Sequence, residues 1–232
     1  MTYEYRGDWL EAAVIHEEIS VKGAEPVVEE VVVTHHGPII SGLAPDFIGD
    51  RALALRWTSL EPDQMFAALY RMNRATDCDS FREALRVWAA RVQNVVYADV
   101  HGEIAYSLAG KIPMRANGEG RVPVPGWTGE HEWRGYIPFE ALPHWRNPEQ
   151  GYIVTANNRV VGDDYPYYLG YDYCAGDRAQ RIVELIECQT LLSLEAVQRM
   201  QFDQVSPSAC SVAKWQRFWE RCRLKIRSWS PL

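Results

Sequence analysis

Runs of β-branched and apolar residues separated by turn residues predict short strands along the first two thirds of the chain. Residues 27–34 (VVEEVVVT) are the clearest case, because they are rich in valine and lie between Pro26 and the Gly37-Pro38 pair. Asp opening and Gly closing the segment 99–102 indicate a hairpin turn between two such runs. Further strands are predicted over residues 52–57, 95–97, 104–108 and 152–155.

Apolar positions at helical spacing predict several helices. In residues 81–92 the apolar side chains share one face, and Ser80-x-x-Glu83 has the pattern of a capping box, which predicts a helix starting at Ser80. Further helices are predicted after Pro62, over residues 177–187 and over residues 193–201. Because strands and helices mix without a regular βαβ rhythm, the predicted class is α+β.

Composition excludes several classes of protein. Hydrophobic residues make up 47% of the 232 positions and aromatic residues 12%, which is enough for a sizeable core. The net charge of −7 argues against a general nucleic-acid partner. No apolar run approaches the roughly 18 residues of a membrane span. The five cysteines are dispersed without a C-x-x-C pair, so neither a disulfide framework nor a cysteine zinc site is expected.

The last 24 residues differ from the rest of the chain. Residues 209–232 contain six Lys or Arg and one Glu, together with three of the nine Trp. The alternatives are a basic arm for an anionic partner and a truncated or frame-shifted end, and we favour the second because these aromatics need burial. We therefore divide the chain into a domain over residues 1–208 and an atypical tail over residues 209–232.

Two groups of side chains suggest metal ligands without forming a recognisable site. Adjacent residues of a strand point to opposite faces, so His35 and His36 are not expected to bind one metal, and His36 is expected to orient the turn before Gly37. Asp163, Asp164 and Asp172 form an acidic stretch that fits either a calcium ion or a solvated loop. No metal site is therefore predicted, and calcium stays open.

The segment between residues 153 and 178 is the most informative for chemistry. Two consecutive amides, Asn157 and Asn158, follow an apolar run, and Asp177-Arg178 opens a helix. An Asn side chain can donate to a developing oxyanion, and a guanidinium can add fixed positive charge nearby. Paired Asn residues also occur in ordinary turns, so the spacing alone leaves both interpretations open.

Seven segments, in the same order, resemble the penicillin acylase (penicillin amidase) family of N-terminal nucleophile hydrolases. Together they span about residues 10–205, and their number and order make the resemblance specific. They are ISVKG (19–23), VVVTHHGPII (31–40), QNVVYADVHGEIAYSLAGKIPMR (93–115), VPVPGW (122–127), WRGYIPFEALP (133–143), NPEQGYIVTANN (147–158) and GDRAQRI (176–182).

The resemblance implies a fold and a reaction. The family fold is a four-layer αββα sandwich cut into two chains, and this sequence would be an incomplete, interior portion of the large chain. In the family the first residue of the large chain is a serine nucleophile whose α-amine acts as base. The implied function is hydrolysis of linear amides, of the penicillin or cephalosporin side-chain type or the N-acyl-homoserine lactone type, through an acyl-enzyme.

The resemblance also assigns site residues. Asn157 matches the oxyanion-hole asparagine, and Arg178 matches the arginine near the nucleophile's amine. Gln93 aligns with an acyl-pocket position that is apolar in phenylacetyl-preferring members, and Leu69 or Tyr70 is a weaker candidate for the same pocket. No cofactor for catalysis is implied, and a structural calcium ion is left open because Leu169 falls near a ligand position of the family.

By the family's order, the nucleophile, the start of the large chain and the small chain lie outside this sequence, so the chain alone is expected to be inactive. Met1 removal exposing a nucleophilic Thr2 is the alternative that we disfavour. Family members are often exported, but the compartment is not assigned. The expected partners are an amide-bearing small molecule and the missing segments. The rival hypothesis is a non-catalytic module binding a carbohydrate or peptide on an aromatic platform of Trp127, Trp133, Tyr136 and Trp145.

Overall fold

A computed structural model describes residues 1–43 and 51–227, with side chains described up to residue 217. The chain mixes helices and antiparallel strands, which confirms the coarse class. It divides into two units. The first comprises Met1–Gly151 and Tyr165–Gly170, and the second comprises Tyr152–Asp164 and Tyr171–Leu232.

The described residues of the first unit form four small antiparallel sheets. Two are two-stranded (β1-β2 and β8-β9), and two are three-stranded, in the orders β3-β4-β5 and β10-β7-β6. The strands are β1 (Thr2–Tyr5), β2 (Asp8–Glu11), β3 (Ala13–Ile19), β4 (Val27–Thr34), β5 (Gly37–Pro38), β6 (Gln93–Ala98), β7 (Ile104–Ala109), β8 (Pro113–Arg115), β9 (Trp133–Tyr136) and β10 (His144–Arg146).

The strand prediction over residues 27–34 is confirmed by β4, whereas the one over residues 52–57 is wrong. The latter segment forms a single bridge from Ala54 to Ile39, because β5 beside it is only two residues long. This approach depends on Gly37, whose φ is +125° and whose added Cβ would lie 2.1 Å from the Leu55 carbonyl oxygen. Only glycine fits such a backbone contact.

The predicted hairpin is confirmed and supplies the core of the first unit. β6 and β7 pair from Gln93↔Ala109 to Ala98↔Ile104. The Asp99 carboxylate closes the turn by accepting from the backbone N–H groups of His101 and Glu103 at 2.9 and 3.0 Å. β7 is buried from Ala105 onward, and other buried apolar side chains are Ala68, Leu85, Ile112, Ile137 and Leu142.

The predicted helices occur, but one of them starts and ends earlier than expected. The helical face predicted over residues 81–92 stops after the 3₁₀ turn at Leu85–Val87, because the backbone at Trp88 is extended. α1 (Met65–Met72) follows Pro62, and α2 (Cys78–Ala84) begins after Asp77 rather than at Ser80. The Asp77 carboxylate accepts from the Ser80 backbone N–H at 2.7 Å, so Ser80 is the third helical residue of a capping box. Short 3₁₀ turns lie at Ser41–Leu43, Thr58–Leu60, Leu85–Val87, Gly126–Thr128 and Phe139–Ala141.

The second unit is helical with a long irregular segment. Its helices are α3 (Asp177–Glu187), α4 (Leu194–Gln201) and α5 (Pro207–Arg227), so the two predicted over this region are confirmed. The predicted strand at 152–155 is absent: the segment is irregular, because it pairs with no strand in the described part of the unit. No helix among the described residues is long and apolar enough to cross a membrane.

Candidate active site

Asn157 and Arg178 lie side by side in the second unit. The Arg178 Nη2 group donates to Asn157 Oδ1 at 2.9 Å and to the Ala156 backbone carbonyl at 2.7 Å. Arg178 follows Asn157 by 21 positions, and the segment between them is closed on the other side by the Cys174 N–H, which donates to the Asn157 carbonyl at 2.9 Å. The structure thus brings together the two residues that the resemblance pairs.

The backbone at Asn157 has the left-handed conformation, with φ of 63°. Asn tolerates this region better than other residues that carry a Cβ, because its short polar side chain bonds locally. The next residue stabilises the turn, since Asn158 Oδ1 accepts from the Ala156 N–H at 3.0 Å. The two amides therefore have different roles: Asn158 holds the turn, and Asn157 extends from it.

The contact with Arg178 determines which end of the Asn157 amide is free. A guanidinium has only donors, so the amide oxygen must face it and the Nδ2 group must face away. Asn157 is exposed, and its Nδ2 group donates to no other group within the described residues. This leaves an oriented N–H₂ donor at the surface of the unit.

Arg178 occupies the first turn of α3, where the helix dipole disfavours a cation. The two oxygen acceptors described above compensate for that position. Asp177, the first residue of the helix, has the charge that the dipole favours and accepts a hydrogen bond from the Ser208 hydroxyl. On the next turn Arg181 contacts Asp203 through two bonds of 2.9 Å, and the Arg181 guanidinium lowers the pKa of Asp203.

The candidate acyl-pocket residues lie in the first unit. Gln93 is exposed at the start of β6, opposite Ala109. Leu69 and Tyr70 are on α1 with 37% and 64% of their surface exposed. Arg74 lies over the Tyr70 ring at 5.6 Å. These positions are accessible, and their contact with an acyl group stays a prediction.

The four aromatic residues of the rival hypothesis are distributed over three elements. Trp145, on β10, stacks on Tyr106 with ring centroids 4.1 Å apart. Trp133 and Tyr136 meet edge to face on β9 at 6.1 Å, and Trp127 lies in a 3₁₀ turn with 52% of its surface exposed. At least one of the four rings, that of Trp145, therefore packs against another side chain.

The histidine pair contradicts the expectation from sequence. His35 and His36 lie in the turn between β4 and β5 rather than within a strand, and their ring centroids are only 3.7 Å apart. Both face Glu132: the distances from its Oε1 atom are 2.6 Å to His36 Nε2 and 3.7 Å to His35 Nε2. A turn does not alternate its side chains between two faces as a strand does. The expectation that His35 and His36 point in opposite directions therefore fails.

The pKa values of His35 and Glu132 are both lowered, but for different reasons. Burial, followed by the neighbouring His36, lowers the pKa of His35. Burial alone would raise the pKa of Glu132, but the hydrogen bond from His36 and the nearby positive groups outweigh it and lower that pKa. Among the described residues these three form the one group of three or more metal-ligating side chains, and the acidic stretch forms none. There Asp163 pairs with Arg159.

The comparisons with known proteins decide the family. The sequence profile described as penicillin amidase matches residues 1–229. The chain belongs to the penicillin amidase family. It is 40% identical over 190 residues to "Penicillin acylase 2 proenzyme" of Pseudomonas sp. (strain SE83), covering 82% of this chain and 24% of that protein.

Another relative is named for a different activity. The chain is 34% identical over 215 residues to "Acyl-homoserine lactone acylase QuiP" of Pseudomonas fluorescens (strain Pf0-1), covering 92% of this chain and 26% of that protein. A solved thermostable penicillin G acylase from Alcaligenes faecalis matches with a TM-score of 0.70 and 28% identity, over 86% of this chain and 35% of that one. The chain spans about a quarter of the length of the Pseudomonas sp. and Pseudomonas fluorescens relatives.

Proposed function

We propose that this chain is part of the large, nucleophile-bearing chain of an amidohydrolase and supplies half of its acyl-transfer centre. Asn157 would donate from Nδ2 to the oxyanion of the tetrahedral intermediate. Arg178 would hold the Asn157 amide and place positive charge beside the amine of the nucleophile. The observation that carries this proposal is the 2.9 Å bond that fixes the Asn157 oxygen on Arg178 and frees Nδ2.

The reaction proposed is acyl transfer in two stages. A nucleophilic hydroxyl attacks the amide carbonyl, the amine leaves with a proton, and water then hydrolyses the acyl-enzyme to release the acid. A donor that is already oriented stabilises the oxyanion without reorganisation during the reaction, which is why preorganised donors contribute strongly. Asn157 meets this requirement. Its backbone carbonyl oxygen accepts from the Cys174 N–H, its backbone has the left-handed φ of 63°, and its amide oxygen accepts from Arg178.

The remaining parts of the centre would come from segments outside this sequence. We place the nucleophile and the small chain there, and the two units would be portions of the family's four-layer αββα sandwich. The 232-residue chain alone would then release no acid from an amide. The length relation to the relatives, about one quarter of each, supports this interpretation.

The substrate class proposed is a linear amide, either a β-lactam side chain or an N-acyl-homoserine lactone. The relatives named for both activities match at 40% and 34% identity, so neither class is favoured by likeness alone. A polar Gln93 at an acyl-pocket position would disfavour a phenylacetyl group.

The test is a parallel hydrolysis assay. The complete enzyme containing this segment and the 232-residue chain are each incubated with penicillin G, a glutaryl amide and a medium-chain N-acyl-homoserine lactone, and free acid is measured. We expect acid from at least one substrate with the complete enzyme and none with the chain alone. Acid release by the chain alone, or no hydrolysis of any amide by the complete enzyme, would contradict the proposal.

A further inference from the structure

We infer that His35, His36 and Glu132, which all belong to the first unit, form a binding site for a divalent transition-metal ion of the zinc type. The two histidines come from the turn after β4, and Glu132 immediately precedes β9, 96 residues after His36. The ligand atoms of the three side chains all lie within 4.8 Å of one another. Two imidazoles and one carboxylate are a donor set that zinc prefers, with a fourth position for water.

The distances fit a small adjustment around a tetrahedral ion. Bonds of about 2.0–2.1 Å place neighbouring ligand atoms about 3.3 Å apart. The His36 Nε2 to Glu132 Oε1 distance of 2.6 Å is shorter than this, and the His35 Nε2 to Glu132 Oε1 distance of 3.7 Å is longer. The ion would replace the shared hydrogen bond, and both of these adjustments are smaller than 1 Å. The two histidine nitrogens lie within 4.8 Å of each other, and side-chain rotation would have to bring them to the same spacing.

Neighbouring groups hold the ligands in place, as metal sites require. The Tyr3 hydroxyl lies 3.0 Å from His35 Nδ1, the ring nitrogen that the ion would not use, and accepts from the His35 backbone N–H at 3.1 Å. Arg56 approaches the second carboxylate oxygen of Glu132 at 3.7 Å and leaves Oε1 for the ion. Its positive charge opposes a cation at this site, so the three ligands must also overcome that repulsion.

Gly126 lies against the His36 ring. The backbone of Gly126 lies so close that an added Cβ would be 3.1 Å from His36 Cε1. The side chains of His35, His36 and Glu132 retain 30%, 19% and 22% of their exposure, so an ion and a water molecule can enter. The group is thus both constrained and accessible.

The test is a titration of the purified, chelator-treated protein with Zn²⁺, followed by calorimetry, after the exposed thiols have been alkylated. We expect one ion per chain, and at least a tenfold loss of affinity in His36→Ala and in Glu132→Gln. The matched control is His16→Ala, because His16 lies 3.6 Å from Glu30 and forms a histidine–carboxylate pair that has no third ligand among the described residues. The His16→Ala variant should bind Zn²⁺ with the same affinity as the unmodified sequence.

A second measurement separates a lost ligand from a lost fold. Saturating Zn²⁺ should raise the urea midpoint of the parent protein and of His16→Ala, but not that of Glu132→Gln, and Co²⁺ should give the intense visible absorption of a tetrahedral nitrogen and oxygen site. No binding at millimolar Zn²⁺, or binding that is unchanged in both His36→Ala and Glu132→Gln, would overturn the inference. Binding that disappears on alkylation would assign the ion to cysteine and also overturn it.

Discussion

The replacement Asn157→Asp isolates the proposed oxyanion donor. It converts Nδ2 into a carboxylate oxygen but keeps the oxygen that accepts from Arg178 Nη2 at 2.9 Å. Asp also tolerates the left-handed φ of 63°, so the turn should persist. Loss of one oxyanion donor lowers kcat by about 10²–10³, equivalent to about 3–4 kcal/mol, and the added negative charge opposes the oxyanion further. We therefore expect at least about a 100-fold loss.

The assay is steady-state hydrolysis of the preferred amide by the complete enzyme, with urea unfolding measured in parallel. Asn73→Asp is the matched control, because Asn73 is exposed at the end of α1 and its side chain makes no hydrogen bond within the described residues. Asn157→Ala is a less clean variant, since a left-handed Ala adds roughly 1–2 kcal/mol of backbone strain. A kcat in Asn157→Asp within about twofold of the parent would show that Asn157 Nδ2 does not stabilise the oxyanion.

Three further predictions concern the second unit and one glycine. Arg178→Lys should lower kcat at least tenfold with little change in urea midpoint, because an ammonium lacks the planar, rigid donor geometry of a guanidinium; parent-like kcat would contradict this. Gly37→Ala should lower the free energy of unfolding by more than about 2 kcal/mol, whereas Gly23→Ala, with φ of +78° and no atom within 4 Å, should cost only about 1–2 kcal/mol. Equal urea midpoints in the two glycine variants would contradict the clash argument. The Arg181 guanidinium lowers the pKa of Asp203, so this stabilisation is present above the ordinary Asp pKa and is lost as pH falls through the lowered one. Asp203→Asn should therefore lower the urea midpoint at pH 7 and not at the acid end, and a difference independent of pH would exclude the ion pair as its cause.

Sequence patterns correctly predicted the strands and helices that depend on residues close together in the chain. β4 and the β6–β7 hairpin follow from valine content and from an Asp-to-Gly turn, and α3 and α4 follow from helical spacing. The start of α2 shows the limit of this reasoning. Asp77 and Ser80 can both cap a helix, and their reciprocal bonds selected Asp77.

Interactions between distant residues could not be predicted from spacing. The segment at 152–155 has the composition of a strand, but a strand needs a neighbour that local sequence does not specify. Glu132 joins the two histidines across almost 100 residues, and no local signal marks that contact. Asn157 and Arg178 were paired by resemblance to a family, and the geometry of their contact came only from the structure.

A structure of the complete enzyme with a mimic of the tetrahedral intermediate bound would show whether Asn157 is the oxyanion donor. We expect Asn157 Nδ2 at about 2.7–3.1 Å from the oxygen that represents the oxyanion, with Asn157 Oδ1 still on Arg178. An oxyanion bound only by other donors, with Nδ2 directed elsewhere, would contradict it.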